Sequence, residues 1–169
     1  MINVATFALT MLAGSPVMET TSGKAVCEVA DARTIADLRQ MLGRRAIEAL
    51  TLAATQQADE SSLTNLIAPT ATFSLGIGDV GRSLGTGPDG ARAMAREMNA
   101  DTFRFFGWDY IPTPVADPCS THQVDVEFVD SRRQNLYPIT FTFYAGQIVA
   151  AEGWSRSYQT GPIPRSPDD

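Results

Sequence analysis

The chain has 169 residues, 44% of them hydrophobic and 19% charged. That is enough for one ordinary soluble domain with its own core, and too much for a peptide scaffold held only by disulfides. Thirteen basic residues against nineteen acidic ones leave a formal charge of −6, and the basic residues, among which Lys24 is the only lysine, are scattered. The clustered positive charge of a nucleic-acid footprint is therefore excluded. No apolar run approaches the roughly 20 residues that cross a bilayer, so no membrane partner is expected for the mature chain.

Ile2 to Val17 form an apolar, small-residue stretch followed by the polar run Glu19 to Lys24. This reads as the apolar region of an export signal, although no Lys or Arg precedes it. Residues 1–26 are accordingly expected to be an export signal or an arm outside the domain, and the mature protein to be periplasmic or secreted rather than cytoplasmic. Leu12-Ala13-Gly14-Ser15 has the form of a lipoprotein cleavage box, but Ser15 stands where the lipid-bearing cysteine would be, so no lipid anchor is expected. Cys27 and Cys119 are the only cysteines and belong to no CxxC or Cys/His cluster. With one histidine in the chain, no zinc site is expected. In an exported protein the two cysteines would pair; in a cytosolic one both would remain thiols.

Ile35, Leu38, Leu42, Ala46, Ala49 and Ala53 recur at helical spacing and predict a helix over Ala32 to Gln57, bent or divided at Gly43. Asp59-Glu60-Ser61-Ser62 supplies capping groups for a short second helix, Ser61 to Ile67, ended by Pro69. Thr70 to Leu75 is strand-like. The Gly-rich stretch Gly76 to Gly90 reads as loop with one short strand near Arg82 to Leu84, and Pro88 to Asn99 as a third helix burying Ala91, Met94, Ala95 and Met98. The period then changes to two. Four strands follow, Phe103 to Ile111, Thr121 to Asp130, Leu136 to Tyr144 and Ile148 to Tyr158, with a Pro-rich first connection and two tight ones. Gly161 to Asp169 reads as a solvated tail. Helices first and a strand meander afterwards predict one α+β domain over residues 27–160, with three helices on a curved antiparallel sheet.

This order, with the helix exit Leu66-Ile67-Ala68-Pro69-Thr70-Ala71-Thr72-Phe73 and the hairpin Phe141-Thr142-Phe143-Tyr144-Ala145-Gly146-Gln147-Ile148 running into Gly153-Trp154, resembles the NTF2-like superfamily, including its SnoaL-like and ketosteroid-isomerase-like members. The resemblance implies a sheet folded into a cone around a pocket closed by the first helix, and a homodimer through the outer sheet face. It also implies an absence. The positions of the isomerase base, tyrosine and second acid fall on Leu75, Thr51 and Ile139, so that chemistry is not expected. Scytalone-dehydratase-like members use more than one histidine, and limonene-epoxide-hydrolase-like members need a buried Asp-Arg-Asp set that the sequence does not single out.

Alternation places His122, Val124, Val126 and Phe128 on one face of their strand, and Tyr137, Ile139, Phe141 and Phe143 on one face of the next. In the last strand the resemblance puts Ala151, Gly153 and Ser155 inward, leaving Trp154 and Arg156 outside. An apolar wall of Val124, Val126, Phe128, Tyr137, Ile139 and Phe141, with Thr51, Tyr110 and Ser155, is thus the expected ligand-binding set. His122 is the proton-transfer candidate, since an imidazole exchanges protons near neutral pH, and Asp109 could orient it. Glu152 would become a candidate acid only if buried. Gly76-Ile77-Gly78-Asp79-Val80-Gly81 contains a GxGxxG string, but no helix follows it directly, so neither a dinucleotide nor any other cofactor is expected. Ser155 and Ser157 lack triad partners.

Three readings follow from these residues. One is a binding module whose apolar pocket takes a small hydrophobic molecule. Another is a cofactor-independent isomerase, dehydratase or cyclase using His122 with Asp109, Tyr110 or Thr51. The third is a structural, dimerising module whose pocket is filled by side chains.

Overall fold

The computed structural model describes residues 26–55, 59–78, 80–105 and 113–158. The export-signal stretch, Asp109, Tyr110 and the tail from Gly161 lie outside the described residues. The element order is α1 (Ile35–Ala54), α2 (Glu60–Leu66), β1 (Ile67–Ile77), β2 (Val80–Thr86), α3 (Gly87–Met98), β3 (Thr102–Phe105), β4 (His122–Asp130), β5 (Asn135–Tyr144) and β6 (Gln147–Ser157).

Local chemistry sets the helix ends. The Thr34 hydroxyl accepts from the Asp37 N–H at 3.1 Å while the Asp37 carboxylate accepts from the Thr34 N–H, a reciprocal capping box that starts α1 three residues later than the apolar period alone indicates. Gly43 does not divide α1, which is continuous. A Cβ there would fall 2.4 Å from the Phe105 ring, so the glycine makes room for β3. Asp59 caps α2, and Pro88 opens α3, which ends on Asn99 in the left-handed conformation at φ 46°.

The expected loop from Gly76 to Gly90 is instead mostly ordered structure, β2 and the start of α3. Gly76 is glycine because the Trp154 ring of β6 lies where its Cβ would be, within 1.9 Å. Gly90 of α3 is glycine because the Gly85 backbone would meet a Cβ at 2.8 Å. Both residues serve close packing rather than a phosphate loop. The short second helix ends at Leu66, before Pro69, and the chain passes directly into a strand. Pro69 lies inside β1, in the stretch where the ladder to β6 shifts register between Ile67 and Thr72.

The six strands form one sheet in the order β2-β1-β6-β5-β4-β3. An all-antiparallel sheet was the expectation, but β1 pairs with β6 in parallel, while every other pair is antiparallel. The cause lies in α3. A helix between strands returns the chain to its starting end, so β3 runs in the direction of β2, and three successive reversals then bring β6 in parallel to β1. Among the described residues the sheet is open and not strongly curled, with β2 and β3 as its separate edges, which corrects the cone that the resemblance implies. Its helix-covered face is occupied by close-packed side chains, with Phe73, Ile139, Phe141, Phe143 and Ile148 at 1% exposure or less beneath Leu42, Ala46 and Ala49 of α1 and Ala91 and Met94 of α3. The Phe128 and Phe141 rings meet edge to face, their centroids 6.3 Å apart.

Asp130 is the one fully buried charged residue among those described. Its Oδ1 accepts from the backbone N–H groups of Arg132 and Arg133 at 3.1 and 3.0 Å, and Arg133 Nε stands 3.4 Å from Oδ2. Burial pushes this carboxyl up. The Arg133 N–H, the Asn99 side chain, the Arg133 guanidinium and the Arg132 N–H together outweigh burial and hold it below the ordinary carboxylate range. One carboxylate therefore joins the C-terminal cap of α3 to the β4–β5 turn. Replacing it, as Asp130→Asn, is expected to cost about 2 kcal/mol at pH 7, the scale of lost charge-assisted hydrogen bonds. A group with a depressed folded pKa stabilises above its unfolded value and loses that contribution as pH falls through the folded value. The gap in Tm between parent and variant should therefore narrow from pH 5 to pH 2, measured by thermal melts.

Candidate functional site

The loop of residues 113–121 is fastened to the start of α1. Thr34 and Pro114 form an antiparallel bridge, the Ile35 N–H donates to the Thr113 carbonyl at 2.8 Å, and the Val115 N–H donates to the Arg33 carbonyl at 3.1 Å. At its other end a disulfide joins Cys119 to Cys27, and the Ala145 N–H donates to the Cys119 carbonyl at 3.1 Å. Ala145 and Gly146 form the two-residue β5–β6 turn, both with positive φ. The Gly146 carbonyl accepts from Arg45 Nε of α1 at 2.7 Å, and Arg45 also reaches the Asn65 carbonyl of α2. The beginning of the described chain, α1, α2, the 113–121 loop and the last hairpin thus converge on one junction.

A groove of about 500 Å³ opens between this loop and the first turns of α1. Ile35, Leu38, Leu42, Pro114, Val115 and Ala116 give it an apolar lining, and Arg39, Asp117, Ser120, His122 and Gln123 add polar groups. His122 opens β4 and is half-buried. Its Nε2 lies 2.8 Å from the Asp117 carbonyl oxygen and 3.1 Å from Ser120 Oγ, which itself donates to that carbonyl at 2.9 Å. A carbonyl only accepts, so Nε2 carries a hydrogen and the lone pair of the neutral ring sits on Nδ1. The Asp117 carboxylate is engaged elsewhere, accepting from the Cys119 N–H at 2.9 Å.

Among the described residues, the other sequence-derived candidates do not line the groove at His122. Val124, Val126, Phe128, Tyr137, Ile139 and Phe141 are buried in the core, on the face that alternation assigns them. Ser155 is half-buried on β6 opposite Ile77 of β1, and Glu152 is exposed, so the burial that would make it a candidate acid is not met. Trp154 and Arg156 face outward. Thr51 is exposed and lines a second, smaller groove of about 260 Å³ with Leu50, Ala95, Met98, Phe103 and Phe128. At 1.5 Å per residue it lies roughly 20 Å along α1 from Leu38. Asp109 and Tyr110 lie outside the described residues.

Sequence reading missed most of the groove. Leu38 and Leu42 carry the helical period and read as core, Gln123 reads as the outer face of its strand, and Val115 and Ser120 carry no period at all. Asp117-Pro118-Cys119-Ser120 is a turn sequence whose Asp and Ser side chains bond their own backbone, and that was the available sign that His122 is held by a tight local structure.

No family model and no curated protein matches the chain. Among solved structures it is similar to a protein of unknown function with a cystatin-like fold from Methylobium petroleophilum, at 12% identity over 75% of this chain and 83% of that one, TM-score 0.41. It is similar to an NTF-2 like protein of unknown function from Silicibacter pomeroyi, at 15% identity over 69% and 92%, TM-score 0.42. It is also similar to a phenazine biosynthesis-related protein from Pseudomonas aeruginosa, at 12% identity over 78% and 90%, TM-score 0.37. With TM-scores below 0.5, these likenesses stand as observations, and the site is read from the chain's own residues.

The disulfide spans a sequence separation of 92 residues. Closing so long a loop in the unfolded chain predicts that the Cys27→Ser/Cys119→Ser double variant loses about 2–5 kcal/mol, checked by urea unfolding of the two proteins without reductant.

Proposed function

We propose that this chain is an NTF2-like, SnoaL-like domain that binds a small hydrophobic molecule, and that the ligand lies in the groove between α1 and the 113–121 loop. The observation that carries this reading is the composition of the groove: about 500 Å³, an apolar lining from two elements, and a few polar groups with His122 among them. That is the usual make-up of a small-molecule site. The ring's Nε2–H is committed to the Asp117 carbonyl, and the Asp117 carboxylate is turned to a backbone N–H, so Nδ1 is left to accept a hydrogen bond from a ligand and no carboxylate orients the ring for proton transfer among the described residues. The apolar strand face that alternation offers as a pocket wall is buried as core instead. Pairing of the only two cysteines supports an exported protein folding in an oxidising compartment.

Anilinonaphthalene sulfonate, an apolar fluorescent probe, tests the location. Ala116 is exposed at the groove, so Ala116→Trp fills it without entering the core. The variant is expected to weaken probe binding by about tenfold, equivalent to 1.4 kcal/mol, whereas Thr51→Trp in the second groove leaves it within twofold. Equal binding by parent and Ala116→Trp would remove the proposed site.

A further inference from the structure

Away from the groove at His122, the sheet ends in the strand β2. Among the described residues β2 has a neighbour on one side only, so alternate N–H and C=O groups along Val80–Thr86 have no strand partner there. Beside that edge runs α3, and between them lies a groove of about 380 Å³ lined by Arg82, Ser83, Leu84, Ala93, Arg96 and Glu97. An unpaired strand edge flanked by a helix accepts an extended peptide as an added strand, with alternate side chains entering the groove.

Three observations say what kind of peptide fits. Gly81 sits on this edge without a packing reason: its φ is ordinary for any residue, and a Cβ there would meet only Trp154, at 3.9 Å. A glycine of that sort lets another backbone come close. Arg82 is paired with Glu97 at 2.8 Å, but Arg96 is exposed and forms no ion pair among the described residues, so the groove offers a cation within a chain of net charge −6. Val80 is 71% exposed and pairs across the hairpin with Ile77, itself 62% exposed, leaving an apolar patch on the face that also carries Arg82.

We propose that the β2 edge and the β2–α3 groove bind an extended segment of a partner protein by strand addition. The segment carries an apolar side chain for Val80 and Ile77 and, two residues away, a carboxylate for Arg96. Its main chain supplies affinity through the β2 hydrogen bonds, and the i, i+2 pair supplies selectivity.

The probe is the fluorescein-labelled, end-blocked heptapeptide GTVTETG, with GTVTKTG as its charge-reversed control. Titration by fluorescence anisotropy is expected to show the glutamate peptide binding at least tenfold more tightly than the lysine peptide. Arg96→Glu, on the exposed side of α3, is expected to invert that order. Amide hydrogen exchange should slow at residues 80–86 on binding. The proposal is overturned by absence of binding at 1 mM peptide, by an order that Arg96→Glu does not change, or by protection located elsewhere. It is equally overturned if sedimentation shows a dimer whose protected amides are those of β2, since the edge would then be occupied by a second copy of the chain.

Discussion

The close approach of α1 to the sheet governs the rest of the molecule. The buried positions of its middle and second half include Gly43, Ala46, Ala49 and Ala53, so the helix axis can lie low on the strands, and Val126, Ile139 and Phe141 fill the remaining space beneath. Protein interiors tolerate little empty volume, and the described side chains between this helix and the sheet centre are buried and close-packed. Space remains at its two ends, where the first turns meet the 113–121 loop and the last ones meet the C-terminal end of α3. The small-residue stripe thus goes with grooves at the ends of the helix, and the proposed ligand site is one of them.

Much of this architecture was legible because it is written in short-range periods. The stripe Ala91, Met94, Ala95 and Met98 marks α3, and the alternation of Val124, Val126 and Phe128 with Gln123, Asp125 and Glu127 fixes which face of β4 is buried. β2 was obscured because the glycines on either side of it, Gly76 of β1 and Gly90 of α3, exist for tertiary reasons, to admit Trp154 and to let α3 approach, and a glycine-rich stretch is locally indistinguishable from a loop. The parallel contact of β1 with β6 was hidden for a related reason. It joins strands far apart in sequence, and its direction follows from the helix crossing rather than from any residue in either strand.

The candidate site was half legible. His122 falls on the inward face by alternation, and that placement depends on nothing outside its own strand. Its surroundings do not follow the same rule. Leu38 and Leu42 reach the groove because a bridge between Thr34 and Pro114 sets the loop beside them, and that bridge joins segments eighty residues apart in sequence. The ring's orientation rests instead on one backbone carbonyl only five positions away, within a turn that its Asp-Pro and Ser chemistry announces. Residues positioned by local turns are readable in advance, and residues positioned by tertiary bridges become readable once the chain is folded.

The bond between Cys27 and Cys119 encloses α1, α2, α3, β1, β2 and β3 within a single covalent ring, leaving β4, β5 and β6 as a trailing strand meander. Cleavage of any one peptide link inside that ring would open it without separating the pieces. A protease acting on an exposed turn such as the one at Gly78 would leave two fragments still joined through sulfur, and only a reductant would let them part.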